Sequence, residues 1–152
     1  MGKTSWYELI VIKAEEKDIS DIYQIGTVSF SDAWREETIR NDMKGGHSCY
    51  FIAKLAKKVI GYGCFWFIAD EAQLMNIGVL PEYRRMGAAE KILKQGLEEA
   101  AERHMEVIFL EVRVSNLPAQ SLYRKYNFQT VSVRQDVYEL PRENGYIMSR
   151  KV

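Results

Sequence analysis

Residues 76–104 read NIGVLPEYRRMGAAEKILKQGLEEAAERH. An apolar run ends at Leu80, two arginines and a glycine follow, and a long helical pattern starts at once. Over 87–104 the positions Ala89, Ile92, Leu93, Gly96, Leu97, Ala100, Ala101 and His104 fall on one face at a period of 3.6. Glu90–Lys94 and Glu99–Arg103 fall on the other face at i,i+4 spacing, as solvated pairs would. A strand that enters a helix through such a turn leaves unpaired N–H groups at the helix start, and these favour an anion. Gly87 admits a close approach, Ala88 and Ala89 keep bulk away, and Arg84 and Arg85 can fork onto phosphate. No GK followed by Ser or Thr is present and no GxGxxG, so neither a Walker loop nor a dinucleotide fingerprint is read here. An ordinary helix start with solvated arginines is the alternative reading of the same letters.

Working outward, the rest of the chain supplies a mixed sheet. WYELIVIKA (6–14) alternates as a strand. EEKDISDIYQIGTVSF (15–30) puts Ile19, Ile22, Ile25 and Val28 at helical spacing, and WREETIRNDMKGG (34–46) reads as a second helix closed by glycines. SCYFIAKLA and KKVIGYGCFWFIA form an expected antiparallel hairpin, with EAQLMNIGVL as a third strand. After the long helix comes the β-branched EVIFLEVRV, then a short helix capped by Asn116 with Pro118 in its first turn. Leu122, Tyr123 and Tyr126 line that helix's inner side, and Asn127 is placed to close it in a left-handed conformation. FQTVSVRQDVYEL and YIMSRKV are the last strands. The order β α α β β β α β α β β predicts an α/β (α+β mixed) fold, antiparallel early with a strand–helix–strand crossover late.

Composition sets the outer limits. The 152 residues fit one domain, 1–152, which buries roughly 70% of its unfolded surface without a disulfide or metal staple. Acidic and basic residues balance at 21 each, so no direct nucleic-acid partner is expected. Cys49 and Cys64 sit in apolar stretches and read as buried small hydrophobes, which fits a reducing cytoplasm. No secretory signal is read in MGKTSWYELIVIK, and no apolar stretch reaches the ~20 residues of a membrane span. His47 and His104 lie in no metal-ligand spacing, so no metal is expected; His104 reads as a partner of a helix C-terminal dipole.

Three separated motifs occur in order. Arg84-x-x-Gly87-x-Ala89 resembles the Q/R-x-x-G-x-G/A acetyl-CoA loop of the GNAT superfamily of N-acetyltransferases. LEVRVSN (110–116) and SLYRKYNF (121–128) resemble that family's next two segments. DEAQLMNIGVLPEYRR and SFSDAWREETI resemble, more narrowly, the RimI-like ribosomal-protein-alanine N-acetyltransferases, over residues from about 8 to 149. Three positions depart from the pattern: Val137 replaces the first tyrosine of a Tyr-Tyr pair, Ala33 stands where proline is common before Trp34, and Asn127 replaces a glycine. The first two concern the acceptor side and leave the CoA loop untouched.

The resemblance implies a GNAT fold, a twisted mixed sheet of about six or seven strands flanked by about four helices. It implies acetyl transfer from acetyl-CoA to a protein N-terminal α-amine, an alanine, on a small-subunit ribosomal protein. Isolated cysteines and the lack of an apolar span lead to the expectation of a cytoplasmic protein that binds no membrane, and a monomer or weak dimer is expected. Ile77, Gly78, Val79, Arg84, Arg85, Met86, Gly87, Ala88, Ala89 and Asn116 fall on CoA-contacting positions. Phe30, Trp34 and Tyr138 fall on the acceptor side by analogy, where core and rim aromatics are the competing reading. Acidic Asp32, Glu36, Glu37 and Asp70 are candidates for steering a basic acceptor, or a solvated charged face.

Glu111 falls on the family's general-base position and Tyr123 on its catalytic tyrosine. An α-amine with a pKa of about 7.7–8.0 is roughly a tenth neutral at pH 7, whereas a lysine near 10.4 is neutral at only about the 0.04% level, so a modest base suffices. Glu111 lies in the otherwise apolar IFLEVRV, where partial burial raises a carboxyl pKa; an ion pair with Arg113, two residues along on the same strand face, is the alternative. Tyr123 is expected to protonate the departing thiolate, with a core aromatic as the alternative. Backbone N–H groups around Ile77–Val79 are expected to receive the carbonyl oxygen. Other acceptors (a lysine side chain, a polyamine, another small amine) and a CoA-binding module without turnover are the competing functions.

Overall fold

The computed structural model describes residues 8–152. Seven strands and four α-helices follow the expected order: β1 (Leu9–Lys13), α1 (Ile19–Ser29), α2 (Glu36–Lys44), β2 (Ser48–Leu55), β3 (Lys58–Ile68), β4 (Glu71–Val79), α3 (Ala88–Glu102), β5 (Val107–Arg113), α4 (Leu117–Lys125), β6 (Gln129–Glu139) and β7 (Arg142–Lys151). The expected start of the first strand at Trp6 and Tyr7 lies outside the described residues. The strands form one sheet in the order β1-β2-β3-β4-β5-β7-β6. Only β4 and β5 run parallel, joined through α3; every other neighbouring pair is antiparallel.

Helices cover both faces. Ile19, Ile22, Ile25 and Ile39 from α1 and α2 pack with Tyr50, Ile52, Tyr62 and Cys64 on one side. Ile92, Leu93 and Ala100 of α3 pack with Phe51, Phe65, Ile108 and Leu110 on the other, joined there by Tyr123 of α4 and by Phe128. Coverage on both sides explains why SCYFIA is a nearly continuous apolar run rather than an alternating one. Each fully buried Phe or Ile contributes about 1.5–3 kcal/mol. The helix α3 lies close on the sheet because Gly96 and Gly63 leave room: a Cβ on Gly96 would stand 2.1 Å from the Phe65 ring, and one on Gly63 would stand 2.4 Å from Ile92.

Several helix details depart from the sequence reading. Val28 is 55% exposed, not inward. Nine residues at 100° each carry it to the side opposite Ile19, so strict i+3 spacing drifts off the buried stripe. Glu99 is buried rather than solvated, with Arg103 Nε at 2.9 Å and Lys13 Nζ at 3.5 Å. Glu90 pairs with Lys125 Nζ (2.7 Å) and accepts from Tyr126 Oη (2.5 Å), tying α3 to α4 instead of meeting Lys94. His104 closes α3 through its backbone, at φ 59° with its N–H on the Ala101 carbonyl, as a left-handed terminus. Asn127, at φ 71°, does the same for α4 as expected.

Two irregularities shape the sheet where β4, β5 and β6 end. Between β3 and β4, Cys64 pairs with Asn76 and Phe65 with Leu74, so Met75 is an extra residue on β4. The β4–β5 ladder stops at Leu74–Leu110. A bulge bends its strand, and beyond this one β4 and β5 part toward their C-terminal ends. On β6, Arg134 pairs with Gly145 and Tyr138 with Glu143, which places two extra residues on β6 around Asp136 at φ 52°.

Candidate active site

The parted ends of β4 and β5 open into a cleft of 1410 Å³. One wall is β4 and the turn into α3. Arg84 Nε donates to the Val79 carbonyl (3.1 Å), so this arginine also holds the turn's own shape. Arg85 and Gly87 both take left-handed backbone, at φ 67° and 84°. Gly87 is the residue before α3, and a Cβ built on it meets nothing within 4 Å, so the turn faces open space where α3 starts. Leu80 N donates to Ile60 O across β3. Strand alternation then directs the N–H groups of Ile77 and Val79 away from β3 and toward the cleft. Open helix-start N–H groups, a positive-φ glycine and a long cleft suit an anionic carrier arm.

Every catalytic, CoA-side and acceptor-wall residue named from the sequence lines this cleft except Met86, which is 46% exposed and lies outside the lining. Ala88 and Ala89 open α3 at its edge, and Asn116 caps α4, accepting from Ala119 N at 3.2 Å. Tyr123 packs edge-on against Phe128 with ring centroids 5.8 Å apart. Burial pushes the Tyr123 hydroxyl pKa well above its usual value, so it stays protonated. Among the described residues that hydroxyl makes no hydrogen bond, which leaves its proton available to the cleft.

Glu111 stands on β5 past the point where β4 departs. Leu110 and Val112 turn into the core, and alternation sends Glu111 to the opposite face. Its partner is not Arg113. Arg134 from β6 donates to Glu111 Oε2 at 3.2 Å, while Arg113 pairs with Glu143 at 3.0 Å. Glu111 is therefore a half-buried, charge-partnered carboxylate at the cleft wall, not an isolated one in an apolar strand. Gly145 on β7 keeps this corner tight: a Cβ there would lie 3.0 Å from Tyr138, 2.9 Å from Val137 and 3.3 Å from Glu111 Cγ.

The other wall is the connection between α1 and α2. Phe30, Asp32 and Trp34 line it, facing Tyr138 from β6. Burial, then the Glu111 charge, push the Tyr138 hydroxyl up to about 12. Trp34 leans on Trp66, centroids 6.2 Å apart, and Trp66 Nε1 donates to Asp42 on α2 at 3.2 Å. Asp42 also accepts from Tyr50 Oη at 2.7 Å and meets His47 at 3.3 Å, so one carboxylate pins α2 and this wall to the sheet. Asp70 sits exposed in the β3–β4 turn, where its carbonyl accepts from Glu106 N, at the end of β4 away from the cleft, which favours the solvated face of the two readings. Glu36 and Glu37 lie in the first turn of α2 outside the cleft lining.

Sequence reasoning missed Arg134, Gly145 and Asp42, because each acts through a partner far along the chain. Only the NG in ENGYIM gave a local signal, and it reads first as a turn.

The acetyltransferase (GNAT) family profile matches residues 17–128. The chain belongs to the GNAT family of acetyltransferases. As a GNAT enzyme it draws its acyl group from acetyl-CoA, and the sheet with four helices is the fold the resemblance implied. A Bacillus subtilis relative, provisionally named a ribosomal protein bS18-alanine N-acetyltransferase, is 32% identical over 133 residues, 87% of this chain and 88% of that one. An N-alpha-acetyltransferase of Saccharolobus solfataricus is 31% identical over 150 residues, 90% of this chain and 89% of that one. The crystal structure of the ribosomal-protein-S18-alanine N-acetyltransferase from Escherichia coli superposes with a TM-score of 0.88 at 27% identity, covering 95% of this chain and 94% of that one. This GNAT enzyme is RimI-like in its relatives as well as in its motifs. Among its described residues no helix is long and apolar enough to cross a membrane.

Proposed function

We propose that this GNAT enzyme acetylates the N-terminal α-amine of a protein, an alanine on a small-subunit ribosomal protein, by direct attack on the thioester of acetyl-CoA. The observation that carries the reading is the pairing of groups in one cleft: a half-buried carboxylate, Glu111, and a protonated, unbonded phenol, Tyr123. Names of relatives across 87–95% of the chain support the acceptor class. The α-amine enters between Phe30, Trp34 and Tyr138. Glu111 takes its proton, directly or through a water, as the new bond forms. Tyr123 gives its proton to the departing thiolate sulfur, and the N–H groups of Ile77 and Val79 face the carbonyl oxygen. Gly78, Arg84, Arg85, Gly87, Ala88, Ala89 and Asn116 hold the carrier arm, with Met86 at its outer rim. Bound acetyl-CoA supplies the activated acyl group.

Direct transfer is supported by the cysteines. Cys49 and Cys64 are buried and outside the cleft lining, and burial raises both thiol pKa values, which removes the thiolate an acyl-enzyme would need. One cytoplasmic domain fits the free thiols and the balanced charge.

The test is acetyl transfer to a peptide beginning Ala-Arg, beside the same peptide with a blocked α-amine and a free lysine. The expected product is on the free α-amine alone. Product on lysine alone moves the enzyme to the side-chain class. No product on either, with acetyl-CoA bound, moves it to a small-molecule amine or a silent CoA-binding module.

A further inference from the structure

Arg113 brings a positive charge to the edge of a cleft that is to receive an ammonium, which is electrostatically the wrong sign. Its surroundings explain it. Nη1 donates to the Pro141 carbonyl at 2.9 Å and to Glu143 Oε1 at 3.0 Å. Nη2 donates to the Leu140 carbonyl at 3.0 Å and reaches Ser31 Oγ at 3.5 Å. The guanidinium carbon Cζ lies over the Tyr138 ring, 4.3 Å from its centroid. Its charge is met by Glu143, whose other oxygen accepts from Ser115 N at 2.6 Å just before α4. That hydrogen bond and Arg113 hold the Glu143 carboxyl below its usual range.

We infer that Arg113 is a positioning residue for the acceptor: it clamps the β6–β7 tip and Tyr138 against the α1–α2 connection and so sets the width of the acceptor entrance. The inference rests on the proposed reading of that side as the acceptor wall. Three segments distant in sequence, β5, the β6–β7 tip and the α1–α2 connection, meet at this one guanidinium. Arg113 also sits between the main cleft and a 200 Å³ side cavity that Ser31, Tyr138 and Leu140 line as well. The planar fork reaches these acceptors from two separate nitrogens, Nη1 for the Pro141 carbonyl and Glu143 and Nη2 for the Leu140 carbonyl, a spread that the single nitrogen of a lysine does not reproduce. The carboxylate of Glu143 leaves the fork without net charge toward an incoming ammonium, so the clamp is compatible with a cationic acceptor.

The experiment compares wild type with Arg113→Met, Arg113→Lys and Glu143→Gln in two readouts. Steady-state kinetics with the Ala-Arg peptide should show KM for peptide raised about tenfold in Arg113→Met, the equivalent of roughly 1.4 kcal/mol. In that variant kcat and acetyl-CoA affinity should stay within about twofold of wild type. Arg113→Lys should recover part of the loss, and Glu143→Gln should reproduce part of it. Hydrogen exchange should speed up at 138–143 and not in β2 or β3. Equal loss of acetyl-CoA affinity, a fall in kcat alone, or unchanged KM in both Arg113→Met and Glu143→Gln overturns the inference. If wild type itself leaves the peptide unmodified, the acceptor reading fails and exchange decides the clamp alone: unchanged protection at 138–143 in Arg113→Met overturns it.

Discussion

Glu111 is polar within IFLEVRV because strand alternation and the departure of β4 expose its face to the cleft. As the proposed base it should show a particular kinetic pattern. Glu111→Gln is expected to lower kcat by about 10²–10⁴-fold with acetyl-CoA affinity unchanged, since the lost group acts only as the proton leaves; steady-state rates beside calorimetric binding check this, and an unchanged kcat removes Glu111 from the role. Gly87 carries the opposite pattern. At φ 84° a β-branched residue is strained by about 1–2 kcal/mol, and its side chain would project into the space the carrier arm needs. Gly87→Val should weaken acetyl-CoA binding about tenfold or more while the folded state persists; full affinity in a titration would undo the reading of that turn. Both residues were legible in the sequence because each breaks a local pattern, a charge in an apolar strand and a glycine at a helix start. Arg134 breaks no local pattern and Gly145 reads locally only as part of a turn, and only the pairing of β5, β7 and β6 brings them to Glu111.

At the scale of elements, periodicity recovered each strand and helix in order. It erred where it counted faces too strictly, at Val28, or treated a helix face as uniformly solvated, at Glu99 and Glu90. Buried Glu99 pairs with Arg103 and also with Lys13 on β1, a neighbour that α3's own sequence does not contain. Gly96 tests the α3–sheet contact. Alanine is worth about 1 kcal/mol more than glycine in a helix interior. Here its Cβ would stand 2.1 Å from Phe65, a side chain fully buried between sheet and helix, so the added methyl must displace α3. Overpacking costs about 1–3 kcal/mol or more, so Gly96→Ala should lower the melting temperature by several degrees rather than raise it, at about 2–4 °C per kcal/mol for a chain of this size. Calorimetry decides, and a raised midpoint would show that the helix can shift freely.

Across the whole molecule, three tyrosines set an alkaline limit. Burial raises the pKa values of Tyr50, Tyr62 and Tyr123 above the usual 10. In the unfolded chain these phenols ionise near pH 10, while the folded protein keeps them protonated. Above that pH the unfolded state binds fewer protons, so stability is fully present below about pH 10 and falls as pH rises beyond it. Denaturant midpoints measured from pH 8 to 11 should hold level and then drop, and Tyr62→Phe should soften the drop; a level curve through pH 11 would contradict this burial.

Sequence alone determined the elements, the glycine-bearing turn from Arg84 to Ala89 and the Asn116 cap, because helix and strand periods and glycine placement act over a few residues, while Glu111 and Tyr123 were named through the family resemblance of their motifs. Tertiary structure alone decided that β7 inserts between β5 and β6, that the Met75 bulge parts β4 from β5, and that Glu111 pairs with Arg134 while Arg113 clamps the β6–β7 tip. Those outcomes depend on which distant segments share a sheet edge, and pairing energies between segments leave no periodic trace in either one.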